Sequence, residues 1–391
     1  MEQKLVALSG NEAVAYAFKQ AKPHVAAVFP ITPQTEMMHQ YAEFVANGES
    51  TTEMILVESE HSAMSAAVGS AAAGARTFTA TSSAGFALMW EVLYIAASLR
   101  LPICMAMVNR ALSGNINIHC DHSDSMGGRD AGWIQLFAEN AQEAYDNALM
   151  AWRIAEHEDV RLPAMVNYDG FIISHTADSL YMLPDDEAYK FIGKHKPSYA
   201  LLDVENPITV GPLDLTDYYF EHKATQIEAY DKAIKVIAEV SEEFGQLTGR
   251  HYDLCEEYMM DDAEMVMVLI GSSAGTAKDV IDEYRDKGVK VGLLKIRMFR
   301  PFPVQLIAEK LAGRKAVCVL DRSASFGGQG GPVFMEVRSA MYGQSVPVNG
   351  YIYGLGGRDF DLKQVATVIE NLQKVAAGAE MQDVTLLGIR S

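Results

Sequence analysis

Residues 77–97 read TFTATSSAGFALMWEVLYIAA, and the fold turns on how that stretch is interpreted. The β-branched and aromatic residues of Thr77–Thr81 predict a strand. Ser82-Ser83-Ala84-Gly85 leaves room only for a tight turn, and the apolar run after it predicts a helix over 86–97. Strand, short turn and helix in that order form the repeating unit of a parallel α/β sheet. The unit recurs on both sides. Strands are expected over 25–29, 54–57, 102–108 and 164–168, and helices over 36–45 and 59–75. Ser9-Gly10-Asn11 opens an earlier helix that keeps Ala13, Val14, Ala17 and Phe18 on one face. A long loop follows over 109–129, and 133–156 reads as helical.

The texture changes at 194–212, which is Pro-rich and irregular, and 216–258 reads as a long charged helix. A fresh unit begins with MVMVLI at 265–270, turns through the glycines of 271–275 and enters a helix over 276–286. Strands over 289–295 and 316–320 and a helix over 304–311 complete it, and the Gly-rich turn 326–331 leads into a last helix. The expectation is α/β throughout: two doubly wound parallel-sheet domains, 1–195 and 260–391, joined by a linker with a long helix over 196–259.

The chain has 391 residues, enough for two or three domains, and its 49% apolar and 21% charged content is that of a globular protein. With 51 acidic against 32 basic residues its formal charge is −19, a field that repels phosphate backbones and argues against nucleic acid as a partner. An anionic small substrate would need local positive charge, so an arginine in a cleft gains interest. Cys104, Cys120, Cys255 and Cys318 include no CxxC pair, which argues against a metal site or iron–sulfur cluster in this chain. Few cysteines and a start without a basic, apolar leader predict the cytoplasm, and apolar runs shorter than ~18 residues predict no membrane span.

Four loops leave the carboxyl ends of the expected strands: 30–33, 58–61, 82–85 and 109–124. That edge is where open parallel sheets bind ligands. Glu60 reads either as a first-turn acid favoured by the helix dipole, as Glu58 also does, or as a carboxyl in an apolar cleft that shares a proton with a heteroaromatic ring. Arg110 ends an apolar strand, where a surface arginine or a carboxylate-binding fork both fit. Thr32 is either a helix N-cap or a hydroxyl donor to the same carboxylate. Asp121-His122-Ser123-Asp124 has the look of a metal or triad cluster, but such a run is more often a loop hydrogen-bond network.

Together these residues resemble a family. FPITPQTE at 29–36, ESEHSA at 58–63, TATSS at 79–83, NRALS at 109–113, DHSD at 121–124 and GWIQ at 132–135 are similar to the ordered motifs of 2-oxoacid:ferredoxin (acceptor) oxidoreductase alpha subunits of the pyruvate type. RPFP at 300–303 and Leu320-Asp321-Arg322 before Gly327-Gly328 extend the resemblance into the second half. It implies a thiamine diphosphate pyrimidine-binding domain followed by a transketolase C-terminal-like domain. It implies oxidative decarboxylation of a 2-oxo acid to an acyl-CoA, with electrons passed to iron–sulfur clusters in partner subunits. A beta subunit would hold the diphosphate, its Mg²⁺ and a cluster; a gamma subunit would handle coenzyme A, and a ferredoxin-like subunit would carry further clusters. Glu60 would be the acid on the pyrimidine ring, with Pro30, Ile31 and Ser83 around the cofactor. Arg110 and Thr32 would hold the substrate, beside His119, Cys120 and Asp121. Phe29 stands where the family has Tyr, and Gly114, Asn115, His119 and Cys120 depart from the pyruvate-type loop. Pyruvate is the default substrate, with a branched or aromatic 2-oxo acid such as 2-oxoisovalerate or phenylglyoxylate as the alternative. A non-redox thiamine-dependent decarboxylase and a scaffold subunit that keeps the fold without the chemistry are the remaining readings; the presence of both Glu60 and Arg110 argues against the latter.

Overall fold

The computed structural model describes residues 3–390. In chain order the strands are β1 (Lys4–Leu8), β2 (Val25–Val28), β3 (Glu53–Leu56), β4 (Thr77–Thr81), β5 (Cys104–Asn109), β6 (Ile134–Phe137), β7 (Ala164–Asp169) and β8 (Asp178–Met182). They continue as β9 (Cys255–Tyr258), β10 (Met265–Leu269), β11 (Val291–Ile296), β12 (Met298–Arg300), β13 (Ala316–Asp321), β14 (Val348–Ile352) and β15 (Val384–Leu386). A seven-stranded sheet runs β12-β6-β7-β5-β4-β2-β3, and a six-stranded sheet runs β15-β14-β13-β10-β11-β9. Within these two sheets, among the described residues, only the edge strands β12 and β9 are antiparallel to their neighbours. The chain is therefore α/β, with two mainly parallel sheets covered by helices on both faces.

Alternation along the strands builds the cores. In β5, Cys104, Ala106 and Val108 point to one face, where the helices Gly10–Gln20, Ala141–Ala155 and Tyr219–Thr248 pack. Met105 and Met107 point to the other, under Glu60–Ala72 and Trp90–Ser98. Both faces being dry explains why the inner strands read as unbroken apolar runs. The second sheet repeats the arrangement, with Val266 and Val268 on one face and Met267 and Leu269 on the other.

Several elements differ from the sequence expectation. The 133–156 segment is not wholly helical: β6 is a buried strand, and the helix starts only after Asn140, whose side chain accepts from Glu143 N. The helix expected over 86–97 is two helices, Ser83–Leu88 and Trp90–Ser98, meeting at Met89. The long helix stops at Thr248, capped by Gly249 in the left-handed region, and Cys255–Tyr258 is a strand instead of its continuation. Its buried residues Ala229, Ala233, Val236, Ile237, Val240 and Phe244 lay it against the first sheet's core. β1 and β8 form an unexpected antiparallel pair. β12, from the second half, pairs with β6 of the first sheet. Among the described residues no helix is long and apolar enough to cross a membrane.

Candidate functional site

The carboxyl ends of β2, β3, β4 and β5 present the four loops at one edge of the first sheet. Glu60 is the first residue of the helix Glu60–Ala72, capped by Ser59, whose side chain accepts from Ser62 N. Its near neighbour Glu58 is on the surface and accepts from Ser62 Oγ at 2.5 Å, a bond that holds its carboxyl below the usual value. Glu60 is only 6% exposed. Its carboxylate lies across the first turn of Ser83–Leu88, where a Cβ on Gly85 would fall 2.5 Å from both Glu60 Oε1 and Thr81 Oγ1. Only glycine leaves that space, and Thr81 Oγ1 and Ser82 Oγ beside it are buried without a partner. The sequence pair Glu58/Glu60 thus separates into a solvated acid and a cradled one.

Arg110 is also 6% exposed. Nε donates to Asn117 O and Nη1 to Thr32 O, both at 2.9 Å. Both acceptors are neutral carbonyls, and among the described residues no carboxylate forms a salt bridge with this guanidinium. Burial lowers its pKa, with Asp124 opposing. A buried cation with no carboxylate in a salt bridge is costly unless something anionic completes it, and among the described residues Nη2 and the second Nη1 proton have no protein acceptor, leaving them available as a fork.

The other expected residues fall into three situations. Thr32 is exposed and reaches Arg110 through its carbonyl; the N-cap of the next helix is Gln34, not Thr32. Pro30 is exposed and Ile31 half-buried at the same rim. Ser83 is buried, and its polar groups are spent internally: N donates to Asp124 Oδ2 at 3.0 Å and Oγ to Ala111 O at 2.5 Å. Asp121 accepts from Ser123 N and Oγ and from Gly356 N. His119 is exposed beside the Phe171 ring, at 5.3 Å between centroids, and borders a cavity of about 230 Å³ at the seam of the two sheets. Cys120 is buried 3.8 Å from Arg322 Nη1, and burial pushes its thiol well up. Glu60, Gly85 and Thr81 form one group, and Arg110, Thr32 and Asn117 a second. Ser83 and Asp124 tie the turn after β4 to the loop after β5.

Asp124 was not singled out from the sequence, although the DHSD run displayed it. Oδ2 accepts from Ser83 N and Arg110 N, and Oδ1 from Asn109 Nδ2 and Ser125 N. Burial raises its pKa to about 6 against those four donors. The DHSD run is a loop hydrogen-bond network, and it extends across the seam. His122 Nε2 meets Asp169 Oδ1 at 2.7 Å, Arg322 Nη1 donates to Asp169 Oδ2 at 2.9 Å, and Ser272 N and Oγ also reach Asp169. Burial works to raise the Asp169 carboxyl, but His122 and Arg322 outweigh it and hold it well below the usual range. Two groupings have metal-ligand spacing among the described residues, Cys120/His122/Asp169 and Glu139/Glu143/Glu256. Each already surrounds a protein cation, Arg322 in the first and Lys295 in the second.

An α/β first unit with this edge is what a thiamine-binding domain offers, and the family models agree. Residues 16–242 match "Pyruvate flavodoxin/ferredoxin oxidoreductase, thiamine diP-bdg", and residues 263–365 match "Pyruvate:ferredoxin oxidoreductase core domain II". The chain belongs to the pyruvate flavodoxin/ferredoxin oxidoreductase family. It is 58% identical to pyruvate synthase subunit PorA of Thermotoga maritima, over 94% of this chain and 94% of that one. It is 45% identical to ketoisovalerate oxidoreductase subunit VorA of Pyrococcus abyssi, over 96% of this chain and 95% of that one. Among solved structures, a 2-oxoglutarate:ferredoxin oxidoreductase from Magnetococcus marinus, with 2-oxoglutarate, coenzyme A and succinyl-CoA bound, has the same fold. The TM-score is 0.73 at 17% identity, covering 95% of this chain and 65% of that longer one.

Proposed function

We propose that this chain is the subunit of a thiamine diphosphate-dependent 2-oxoacid:acceptor oxidoreductase that holds the pyrimidine end of the cofactor and the carboxylate of the 2-oxo acid. Pyruvate is its default substrate. The observation that carries the reading is the Arg110 guanidinium, buried with two neutral acceptors and no carboxylate in a salt bridge with it, at the same sheet edge as the Glu60 cradle. The orphaned Thr81 Oγ1 and Ser82 Oγ, and the close seat that Gly85 gives the Glu60 carboxylate, support a polar ring laid against Glu60.

When bound, thiamine diphosphate supplies the electron sink that lets a 2-oxo acid lose CO₂. Glu60 keeps a proton in place on the pyrimidine ring nitrogen. Arg110 anchors the substrate carboxylate through its free fork, and the Thr32 hydroxyl at the rim is assigned to the substrate carboxylate or keto oxygen. Pro30 and Ile31 shape the wall, and the loop carrying His119, Cys120 and Asp121 bounds the substrate side. The diphosphate, Mg²⁺ and an iron–sulfur cluster are assigned to a beta subunit, coenzyme A to a gamma subunit and further clusters to a ferredoxin-like subunit. The four cysteines here are free, buried and dispersed, in keeping with that division. A branched 2-oxo acid is the second reading, favoured by the similarity to a ketoisovalerate oxidoreductase subunit.

The test is the purified complex, assayed with a panel of 2-oxo acids and a viologen dye. Arg110→Ala should lower kcat/KM for every 2-oxo acid by the worth of a charge-assisted contact, about 1.5–3 kcal/mol. Proton exchange at the thiazolium C2 should persist in that variant. A shift in preference among side chains with unchanged overall capture would remove Arg110 from the carboxylate.

A further inference from the structure

The aim of Arg110 depends on a carbonyl in the loop after β5, whose ends the first unit ties through Ala111 N to His119 O and Leu112 N to Ser123 Oγ. Of its two acceptors, Thr32 O sits in the turn after β2, whereas Asn117 O lies beyond the exposed stretch 113–116. The Asn117 side chain is held partly by the loop and partly by the other sheet. Its Nδ2 donates to Gly356 O at 2.9 Å, and its Oδ1 accepts from His119 N at 2.7 Å. Gly356 N in turn donates to Asp121 Oδ2 at 3.0 Å, so one residue uses both backbone groups to staple the two ends of 117–121. Gly356 has φ +62, and a Cβ there would fall 2.5 Å from Asn117 Nδ2. Neither the conformation nor the contact admits another residue without moving the loop.

We infer that Asn117 is a positioning residue for substrate capture, through which the Gly354–Gly357 turn of the second sheet sets the direction of the Arg110 guanidinium. The inference rests on the assignment of Arg110 to the substrate carboxylate. It gives the second unit a part in the reaction without contact with substrate. The side chain of Asn117 bonds to Gly356 and His119 and not to Arg110; it holds the carbonyl that does the orienting.

The test uses the complete multisubunit enzyme with pyruvate as substrate and oxamate as a non-reactive carboxylate probe. Asn117→Ala keeps the backbone carbonyl but releases it, and two neutral hydrogen bonds are lost. KM for pyruvate and Kd for oxamate should each rise about tenfold, with kcat changed by less than about twofold. C2 proton exchange should be unchanged. Gly356→Ala should reproduce the KM effect from the other side of the seam. In an Arg110→Ala background, Asn117→Ala should add nothing, because its effect passes through that side chain. Additive losses, or a normal KM in Asn117→Ala alongside a raised KM in Arg110→Ala, overturn the positioning role and leave the function standing. A normal KM in Arg110→Ala overturns both.

Discussion

Gly85→Ala is the most direct probe of the Glu60 cradle. The added Cβ would lie 2.5 Å from Glu60 Oε1, 2.9 Å from its carboxyl carbon and 2.5 Å from Thr81 Oγ1. An ordinary contact needs close to 1 Å more, and the backbone of Ser83–Leu88 is fixed by Ser83, whose N and Oγ are both bonded to the loop after β5. The side chains must therefore yield. Overpacking of this kind costs about 1–3 kcal/mol, which a chain of this size tolerates. A carboxyl displaced by about 1 Å from the ring it should protonate is expected to lose about 10²-fold in rate. The assay is C2 proton exchange in the reconstituted complex, followed by turnover, beside Glu60→Gln as the full-loss reference. Both rates should fall together, and KM for pyruvate should move little, because Arg110 and Thr32 are untouched. A folded Gly85→Ala complex that exchanges at the wild-type rate would refute Glu60 as the acid.

Three further expectations concern stability. Asp124→Asn turns one oxygen into a donor facing buried N–H groups and should cost about 2–5 kcal/mol in denaturant melts, with the Arg110 loop loosened first. Lys295→Met leaves Glu139, Glu143 and Glu256 crowded around an apolar side chain where Nζ now lies 2.5–2.6 Å from each carboxylate, and should cost about 3–5 kcal/mol by calorimetry. Asp321, buried at the end of β13 with its oxygens accepting from Val333 N and Phe334 N, is pushed up to about 7 by burial. Its raised pKa means that the folded state keeps a proton the unfolded chain has already lost. Its contribution is complete below the unfolded value near 3.8 and fades as pH rises towards about 7. Melts of the native chain and Asp321→Asn should therefore diverge across that window, the native chain losing stability relative to the variant; parallel curves would refute the shift.

Much of the fold was legible because fully buried parallel strands write themselves as unbroken apolar runs, as β5, β10 and β13 do, while β4 was readable from its β-branched and aromatic residues. β6 was not, because three apolar residues and Gln135 ahead of a long helix are too few to carry a period of their own. The separating signal was Asn140 with Glu143 three residues on, an N-cap pattern inside what read as one helix. β1, β8 and β12 are short and defined by distant partners, and no local pattern announces a pairing between Met298 and Leu136. The same limit divides the site. Glu60 and Arg110 were visible from their positions at strand ends, whereas Asp124 acquires its role only when the chain brings Ser83 to it. Asn117 needed Gly356, which lies in the other half of the sequence.

β12 also bears on how the molecule can be taken apart. The seven-stranded sheet ends on three residues contributed from beyond the linker, and the Phe137 N–H donates to Arg297 O to begin that pairing. A fragment cut after residue 259 would keep Glu60, Thr81 and Gly85, yet its sheet would end on the bare, buried-type edge of β6. Unpaired edges of that kind recruit other strands and drive aggregation. The C-terminal piece alone would carry Met298–Arg300 with no sheet to join. The peptide connecting the two sheets is thus a less faithful guide to where this protein divides than its irregular sequence suggests, and the halves are each other's edge protection.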